Sequence, residues 1–323
     1  MSRVLNDSTA VSEETRQRVL SAIAELDYAP SRLAQGLSLG RTHSIGVTLP
    51  FLTYPSFVER LRGVQHALME SPYDLVLYST DTTDRRDEHF SLLTRKSRAD
   101  GVLIMSIPLM EHHVESFLSS AVPIVLVDIF DARLSRVFVD DVEGGYLAAR
   151  HLLDRGHTRI AYISDEFYSD FQFLAARQRF KGYRQALREA GVVFNPRYHR
   201  QLEHDREAGR KAALELLGLE EPPTAIFAAS DTQAIGVLDA VKELGLRVPE
   251  DVSVMGYDDI RDAEYLDLTT IRQPLYESGL ESVKLLLALI ENPTREPQEV
   301  RLPIELVSRG TVAAPGRKQR KRR

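Results

Sequence analysis

Residues 246–259 read Leu-Arg-Val-Pro-Glu-Asp-Val-Ser-Val-Met-Gly-Tyr-Asp-Asp, and this stretch decides the fold. Within it, residues 252–255 are an apolar run rich in β-branched side chains that begins after a proline and stops at a glycine. Such a run predicts a strand that is buried on both faces of a parallel sheet. Asp258 follows the strand, at the edge where open α/β sheets bind ligands. A ligand contact and a loop of solvated acids fit this position equally well, since only some of these strand ends carry a ligand.

The composition is that of an ordinary globular protein. Its 323 residues exceed a usual single core, so at least two domains are expected. The absence of cysteine excludes disulfides and cysteine-ligated zinc, and it fits a reducing compartment. The net charge of −6 argues against a protein that coats nucleic acid with its whole surface.

The sequence shows no basic-then-apolar signal segment and no apolar run as long as a membrane span. We therefore expect a cytoplasmic protein with no membrane partner. At the other end, residues 317–323 contain six basic residues. They predict a solvated tail, with weak contact to nucleic acid as the alternative.

Strands and helices alternate from residue 44 onward. Apolar strands are expected at 44–49, 75–78, 102–105, 124–127, 137–139, 160–163, 198–202, 225–228 and 252–255. Helices are expected between them, and the one over residues 57–69 should turn Val58, Leu61, Val64 and Leu68 inward. This rhythm predicts doubly wound parallel sheets.

Several motifs resemble the LacI/GalR family of bacterial transcription regulators. They are Arg-Val-Pro-Glu-Asp-Val-Ser-Val-Met-Gly-Tyr-Asp-Asp at 247–259, Leu-Thr-Thr-Ile-Arg-Gln-Pro at 268–274, Arg-Gly-His-Thr-Arg-Ile-Ala at 155–161 and Ser-Asp-Thr-Gln-Ala-Ile-Gly at 230–236. The resemblance covers residues 2–310. It implies an α/β protein with two doubly wound parallel-sheet lobes of periplasmic-binding-protein type I, which follow a partial helix-turn-helix headpiece and a hinge helix.

The same resemblance implies domain boundaries. The headpiece and hinge helix would occupy residues 1–42. The amino-terminal effector lobe would take residues 43–140 and 274–300, and the carboxyl-terminal lobe residues 141–273 and 301–314. A basic tail over 315–323 would follow.

The amino-terminal segment resembles only part of the family's headpiece. Residues 2–6, Ser-Arg-Val-Leu-Asn, resemble the end of its recognition helix, and a helix begins near Ser12 with Val19, Leu20, Ile23 and Leu26 on one face. The first helix and the turn are missing from this sequence, and the charges over residues 1–41 cancel. We therefore expect weak sequence-specific DNA binding by the chain as written.

Three residues of this segment would contact DNA if the resemblance holds. They are Arg3, Asn6 and Leu37. Leu37 lies in residues 30–40, which resemble the hinge helix, and would enter the minor groove as an apolar wedge. A plain linker helix is the alternative reading of this stretch.

The resemblance also assigns an effector site. The matching positions are Phe57, Ser106, Asp128, Arg179 and Asp258. His204 stands where many members of the family stack an aromatic ring on the ligand, and Gln273 is added because it follows a strand. Aromatic rings can face an apolar ligand surface, while Asp, Arg and Gln can make paired hydrogen bonds to hydroxyl groups. Phe57 matches the second of two adjacent aromatic residues in the family, and Ser56 stands in place of the first, which predicts a roomier or more polar pocket at that point. Each aromatic residue taken alone is more often part of the core than of a ligand site, because a cleft uses few of a chain's aromatic residues.

Other chemistries find little support in the sequence. Phosphate loops of the types Gly-x-x-x-x-Gly-Lys-Ser/Thr and Gly-x-Gly-x-x-Gly are absent. The histidines lack metal-ligand spacing, and His112 and His113 are expected on an exposed helix. Carboxylates are plentiful, but the sequence pairs none of them for catalysis. We expect no metal, no cofactor and no enzyme activity.

These observations predict a ligand-responsive transcription regulator, most simply a repressor. A small molecule, most often a sugar in the family, would bind between the lobes and bias the hinge of a homodimer on operator DNA. The alternative is a sensory or transport-type sugar-binding protein without a role on DNA. An enzyme on this fold is the third possibility.

Overall fold

The computed structural model describes residue 4 and residues 11–25, 41–167 and 174–316. Helix α1 spans Glu13–Glu25, and the Ser12 hydroxyl accepts a hydrogen bond from the amide of Thr15 at 3.4 Å. This cap and the acidic first turn suit the positive end of the helix dipole. Leu20 is exposed on this helix, whereas Val19 and Ile23 are half-buried. Leu26 lies outside the described residues.

The first sheet contains six parallel strands among the described residues. They are β1 (Ser44–Leu49), β2 (Asp74–Ser79), β3 (Gly101–Met105), β4 (Ile124–Val127), β5 (Ser135–Phe138) and β11 (Glu299–Arg301). Their order across the sheet is β11-β5-β4-β3-β1-β2. Strands β1, β3 and β4 are buried throughout, as expected for apolar runs with helices on both faces.

Four helices cover this sheet within the described part of the chain. They are α2 (Pro55–Leu68), α3 (Thr83–Leu93), α4 (Glu111–Ser119) and α10 (Leu275–Glu291). Helices α2 and α10 touch backbone to backbone, because a Cβ at Gly63 would lie 1.9 Å from the carbonyl oxygen of Tyr276. The predicted inward face of α2 was wrong at Val58, which is exposed. Its place on the buried face is taken by Phe57 and Arg60, one turn apart.

The second sheet repeats the plan with four parallel strands in the described residues. They are β6 (Ile160–Asp165), β7 (His199–Leu202), β8 (Ala225–Ala228) and β9 (Ser253–Met255), in the order β7-β6-β8-β9. Its helices are α5 (Asp141–Asp154), α6 (Leu174–Glu189), α7 (Arg206–Leu217), α8 (Asp231–Glu243) and α9 (Arg261–Tyr265). A left-handed residue, Gly156 with φ +92°, follows α5.

Two short strands complete the second unit. Strand β10 (Thr270–Arg272) pairs antiparallel with β12 (Glu305–Val307), and single bridges join Met255 to Thr269 and Asp258 to Arg272. The chain passes between the two sheets after β5, after β10 and after β11. We call the first sheet with its helices the amino lobe, and the second with β10 and β12 the carboxyl lobe.

The predicted α/β class with two doubly wound parallel sheets is confirmed. In both sheets the strand order reverses between the first and third strands of the unit, at β1/β3 and at β6/β8. Ligands in open α/β sheets bind outside the carboxyl ends of the strands at such a reversal. The topology therefore points to the space between the lobes.

Candidate ligand-binding cleft

A cleft lies where the carboxyl ends of the strands of both lobes meet. It holds about 600 Å³ of empty space, a value that includes the part open to solvent, so the space enclosed between the lobes is smaller than this. The lining residues are Phe51, Tyr54, Ser56, Phe57, Arg60, Ser106, Asp128, Asp141, Asp165, Ala175, Ala176, Arg179, His204, Asp258 and Gln273.

All seven effector-site residues named from the sequence line this cleft. Phe57 lies on α2, Arg179 on α6, and His204 precedes α7, while the others follow strands. Their placement agrees with the prediction, and their role in binding stays a prediction. The three DNA-contact residues named from the sequence, Arg3, Asn6 and Leu37, lie outside the described residues.

Strained backbone positions surround the cleft. Four lining residues that follow strands have positive φ: Phe51 at 47°, Ser106 at 53°, Asp128 at 59° and Asp258 at 117°. Such angles are unfavourable for residues with a Cβ, and each costs roughly 1–3 kcal/mol. Neighbouring strands hold them, for example through the amide of Asp258, which donates to the carbonyl of Ile271 at 2.8 Å. Strain that persists in this way clusters at ligand sites.

A buried ion pair forms the amino-lobe wall. Arg60 Nη2 lies 2.5 Å from Asp128 Oδ2, and the two side chains are 6% and 7% exposed. The same nitrogen donates to Gln273 Oε1 at 3.4 Å, and Arg60 Nε is buried without a protein partner. Burial raises the pKa of Asp128, and the charge of Arg60 opposes this shift. Arg60 is therefore a buried cation that is held mainly by Asp128.

Arg179 anchors the carboxyl-lobe wall. Its Nε donates to Asp141 Oδ1 at 2.7 Å, and Nη1 donates to the carbonyl of Ala229 at 2.5 Å. The guanidinium carbon lies 3.7 Å from the ring centroid of Tyr257. Burial lowers the pKa of Arg179, but Asp141, Tyr257 and Asp258 raise it well above its ordinary value. The side chain is therefore a fixed positive charge with a set orientation.

Asp258 lies between the two arginines. Gln273 Nε2 donates to its Oδ1 at 2.5 Å, and the closest cationic atom, Arg179 Nη1, is 3.7 Å away. Burial raises the pKa of Asp258, while Arg179, His204 and Arg60 lower it. Asp258 has no closely matched cation of its own in the described residues, so its oxygens can accept hydrogen bonds from a neutral ligand.

Aromatic rings from both lobes stack on one another along the cleft. The Phe51 and Tyr54 rings stack at 4.7 Å, and Tyr54 stacks on His204 at 4.9 Å with 20° between the planes. His204 Nδ1 lies 2.8 Å from Asp165 Oδ1. Burial lowers the pKa of His204, but Asp165 raises it above its ordinary value. Because Tyr54 belongs to the amino lobe and His204 to the carboxyl lobe, this stack joins the two.

Arg60, Asp141 and Asp165 line the cleft but were missed from the sequence. Asp165 ends β6, so the strand-end argument used for Asp258 could have found it had the strand been extended by two residues. Asp141 begins α5 directly after a strand. Arg60 is a charged residue one turn from Phe57 on the buried face of α2, a spacing that places both side chains together.

His113 was expected to be exposed and is buried. Its Nδ1 accepts from the amide of Met110 at 3.1 Å, and its Nε2 lies 3.0 Å from Asp87 Oδ1, which also accepts from Arg86. The ring thus caps α4 and joins it to α3. Asp87, His112 and His113 bring ligand atoms within 4.8 Å of one another, but both ring nitrogens of His113 are already used.

No helix in the described part of the chain is long and apolar enough to cross a membrane.

Two family models match the sequence. Residues 149–312 match a periplasmic binding protein-like domain, and residues 1–31 match the bacterial regulatory proteins of the lacI family. The chain is 33% identical over 317 residues to the HTH-type transcriptional repressor PurR of Vibrio vulnificus. The aligned region covers 97% of this chain and 94% of that protein. The ribose operon repressor of Haemophilus influenzae is also 33% identical, with the same coverage.

Solved structures agree with these relatives. A LacI family transcriptional regulator from Enterococcus faecium with bound ribose superposes with a TM-score of 0.76 at 31% identity, over 84% of this chain and 99% of that one. The complex of the transcriptional regulator CelR with cellobiose gives 0.75 at 31% identity, over 96% and 94%. The chain belongs to the LacI family of bacterial regulatory proteins.

Proposed function

We propose that this protein is a ligand-responsive transcription regulator, acting as a repressor, that binds a sugar between its lobes. The observation that carries the proposal is the cleft itself, where charged and aromatic side chains from both lobes converge on one space. The relatives named as PurR and as a ribose operon repressor, and the neighbours with bound ribose and cellobiose, support the same function.

The charges of the cleft favour a neutral ligand. Three cations face four carboxylates: Arg60 pairs with Asp128, His204 with Asp165, and Arg179 with both Asp141 and Asp258. The carboxylates therefore outnumber the cations by one. A phosphate or carboxylate ligand would find no unmatched cation, whereas sugar hydroxyls can donate to Asp258. A purine is the second candidate, because a relative is a PurR and the rings of Phe51 and Tyr54 provide a flat surface.

Coupling to DNA would come from the arrangement of the lobes. The ligand contacts groups on both lobes, so it would bind one lobe arrangement more tightly than another and shift the equilibrium between them. The strength of that shift is set by the difference between the two affinities. Residues 1–42 would carry the change to operator DNA as headpiece and hinge helix, and the match of residues 1–31 to the regulatory family model supports this part.

The remaining features of the proposal follow from the same function. The lobes would comprise residues 43–140 with 274–300 and residues 141–273 with 301–314. The protein would act as a homodimer in the cytoplasm, which sedimentation at micromolar concentration would test. The relatives are transcriptional regulators, and we infer that this chain is likewise not an enzyme. Each of the four cleft aspartates lies within 4.0 Å of a cationic nitrogen.

Thermal melts with a panel of candidate ligands test the proposal. The panel contains ribose, other pentoses, hexoses, cellobiose, hypoxanthine and a sugar phosphate. A ligand that binds only the folded state raises the melting temperature as its concentration increases. We expect a neutral sugar to do so and the sugar phosphate to have no effect. Stabilisation by hypoxanthine alone would show that the ligand is a purine and not a sugar. Stabilisation by none of the compounds would contradict ligand binding.

A further inference from the structure

Exposed cations without partners are concentrated at one edge of the amino lobe. In the described chain, the arginine and lysine side chains of this lobe that make no hydrogen bond or ion pair are Arg41, Arg95, Lys96, Arg98 and Arg295. The other cations of the lobe are paired, for example Arg62 with Glu59 and Arg133 with Glu111 and Asp131. In the carboxyl lobe the unpaired cations are scattered over several helices and connections.

The topology puts these five residues on one edge. Each lies in a connection that leads into a strand of the first sheet: Arg41 before β1, Arg95, Lys96 and Arg98 before β3, and Arg295 before β11. All strands of that sheet are parallel, so their amino ends share one edge, and the ligand cleft lies at the opposite one. The hydrogen bonds agree, since the Ser44 hydroxyl at the start of β1 donates to the carbonyl of Arg98 at 3.1 Å.

The acids near the turn at residues 95–98 do not compensate its positive charge. Residues 95–98, Arg-Lys-Ser-Arg, contain three cations and no carboxylate. Both oxygens of Asp100 accept backbone N–H groups, from Thr42 and His43 at 2.9 Å each. Four other exposed acids lie at the same edge: Glu70 and Glu296 in connections, Asp74 at the start of β2 and Glu291 at the end of α10. We name Arg41, Arg95, Lys96 and Arg98 the basic edge.

The segment that matches the regulatory family model enters the lobe at this edge. That match ends at residue 31, and only residues 32–40 separate it from Arg41. A stretch of that length spans at most about 30 Å when fully extended. We propose that the basic edge contacts the phosphate backbone of the DNA that residues 1–31 bind. This inference rests on the proposed DNA-binding function and adds a contact made by the effector lobe itself.

The alternative role for these cations is to stabilise the end of helix α3. Helix α3 ends at Leu93, and positive charges just beyond a helix end favour its negative dipole end. That role would lower the melting temperature when the charges are removed, but it would not place residue 97 beside DNA. The experiment therefore measures position and salt dependence as well as stability.

The first arm is a salt titration with charge-matched variants. The triple variant R95Q/K96Q/R98Q is compared with K181Q/R188Q/K211Q, which removes the same charge from exposed, unpaired positions of the carboxyl lobe. Binding of a fluorescein-labelled DNA duplex of mixed sequence is measured over a range of salt concentrations. The slope of log K against log salt should become shallower by about 0.9 for each phosphate that the first variant no longer neutralises. The control should keep the wild-type slope.

The second arm uses the absence of cysteine from the sequence. Ser97→Cys and Lys211→Cys each give one labelling site for a photo-crosslinker, the first within the basic edge and the second on α7. We expect duplex crosslinks from position 97 and few from position 211. Equal salt-dependence slopes for the two triple variants, or equal crosslinking at positions 97 and 211, would overturn this inference and leave the proposed function standing. Equal crosslinking of position 97 to single-stranded RNA would overturn the commitment to duplex DNA.

The wild type separates this inference from the function on which it rests. If the unmodified chain binds no duplex even at low salt, the DNA-binding part of the proposed function and the inference fail together. Sugar binding in the cleft is tested independently by thermal melts and is unaffected by that outcome.

Discussion

The buried pair of Arg60 and Asp128 gives the most quantitative test of the cleft. Removing one partner of such a pair leaves an uncompensated buried charge and typically costs about 3–5 kcal/mol. In Asp128→Asn, the amide oxygen and Gln273 Oε1, 3.4 Å from Arg60 Nη2, would still accept from the guanidinium. We therefore expect a loss of unfolding free energy near the lower limit, about 3 kcal/mol.

A double-mutant cycle shows whether that loss reflects the charge. Replacing both partners in Arg60→Met/Asp128→Asn removes the buried charges together, so the double variant should be more stable than Asp128→Asn alone. Urea unfolding of the wild type, both single variants and the double variant gives the coupling energy, which we expect to be about 2 kcal/mol. Additive losses, with no coupling, would refute the idea that Arg60 and Asp128 are held by each other.

Two further predictions concern the contacts between elements. Asp165 raises the pKa of His204, so this pair stabilises the fold fully below the ordinary histidine pKa of about 6.5 and loses that contribution as pH rises through the raised value. The free energy of unfolding, measured with urea between about pH 6 and pH 9, should therefore depend less on pH in Asp165→Asn than in the wild type. The same pH dependence in both proteins would show that the His204–Asp165 pair does not cause it. A Cβ at Gly279 would lie 2.0 Å from the carbonyl oxygen of Arg60, so Gly279→Ala should cost about 3 kcal/mol. Thermal melts should show a much smaller loss for Gly218→Ala, and equal losses would contradict close helix contact.

Local patterns were sufficient to predict much of the fold. Strand β8 was expected at 225–228 and is found there, because a short apolar run between turn signals is typical of a buried strand. The end of β6 was placed two residues early, since Ser164 and Asp165 are polar although Ser164 is fully buried. Side-chain polarity alone does not reveal that a strand continues into a polar cleft.

The cleft was predictable where strand ends and motifs coincided, as at Asp258 and Asp128. Its ion pairs were not, because Arg60 and Asp128 are 68 residues apart in sequence and meet only after the sheet has formed. The error at His113 has a similar cause. Its burial depends on bonds to the amide of Met110 and to Asp87 on another helix, and helical periodicity carries no information about either.

The substitution Asp258→Asn tests the central claim, that the cleft holds a neutral sugar through buried polar groups of both lobes. It keeps the shape of the side chain but replaces one acceptor oxygen by a donor. A hydrogen bond to a charged group contributes roughly 1.5–3 kcal/mol, so affinity should fall by about one to two powers of ten.

Titration calorimetry with the sugar that most stabilises the wild type measures this change directly, with thermal melts of both proteins run beside it. The account predicts weaker binding by Asp258→Asn, with enough folded protein to titrate. Unchanged affinity together with a lower melting temperature would show that Asp258 supports the loop and does not contact the ligand.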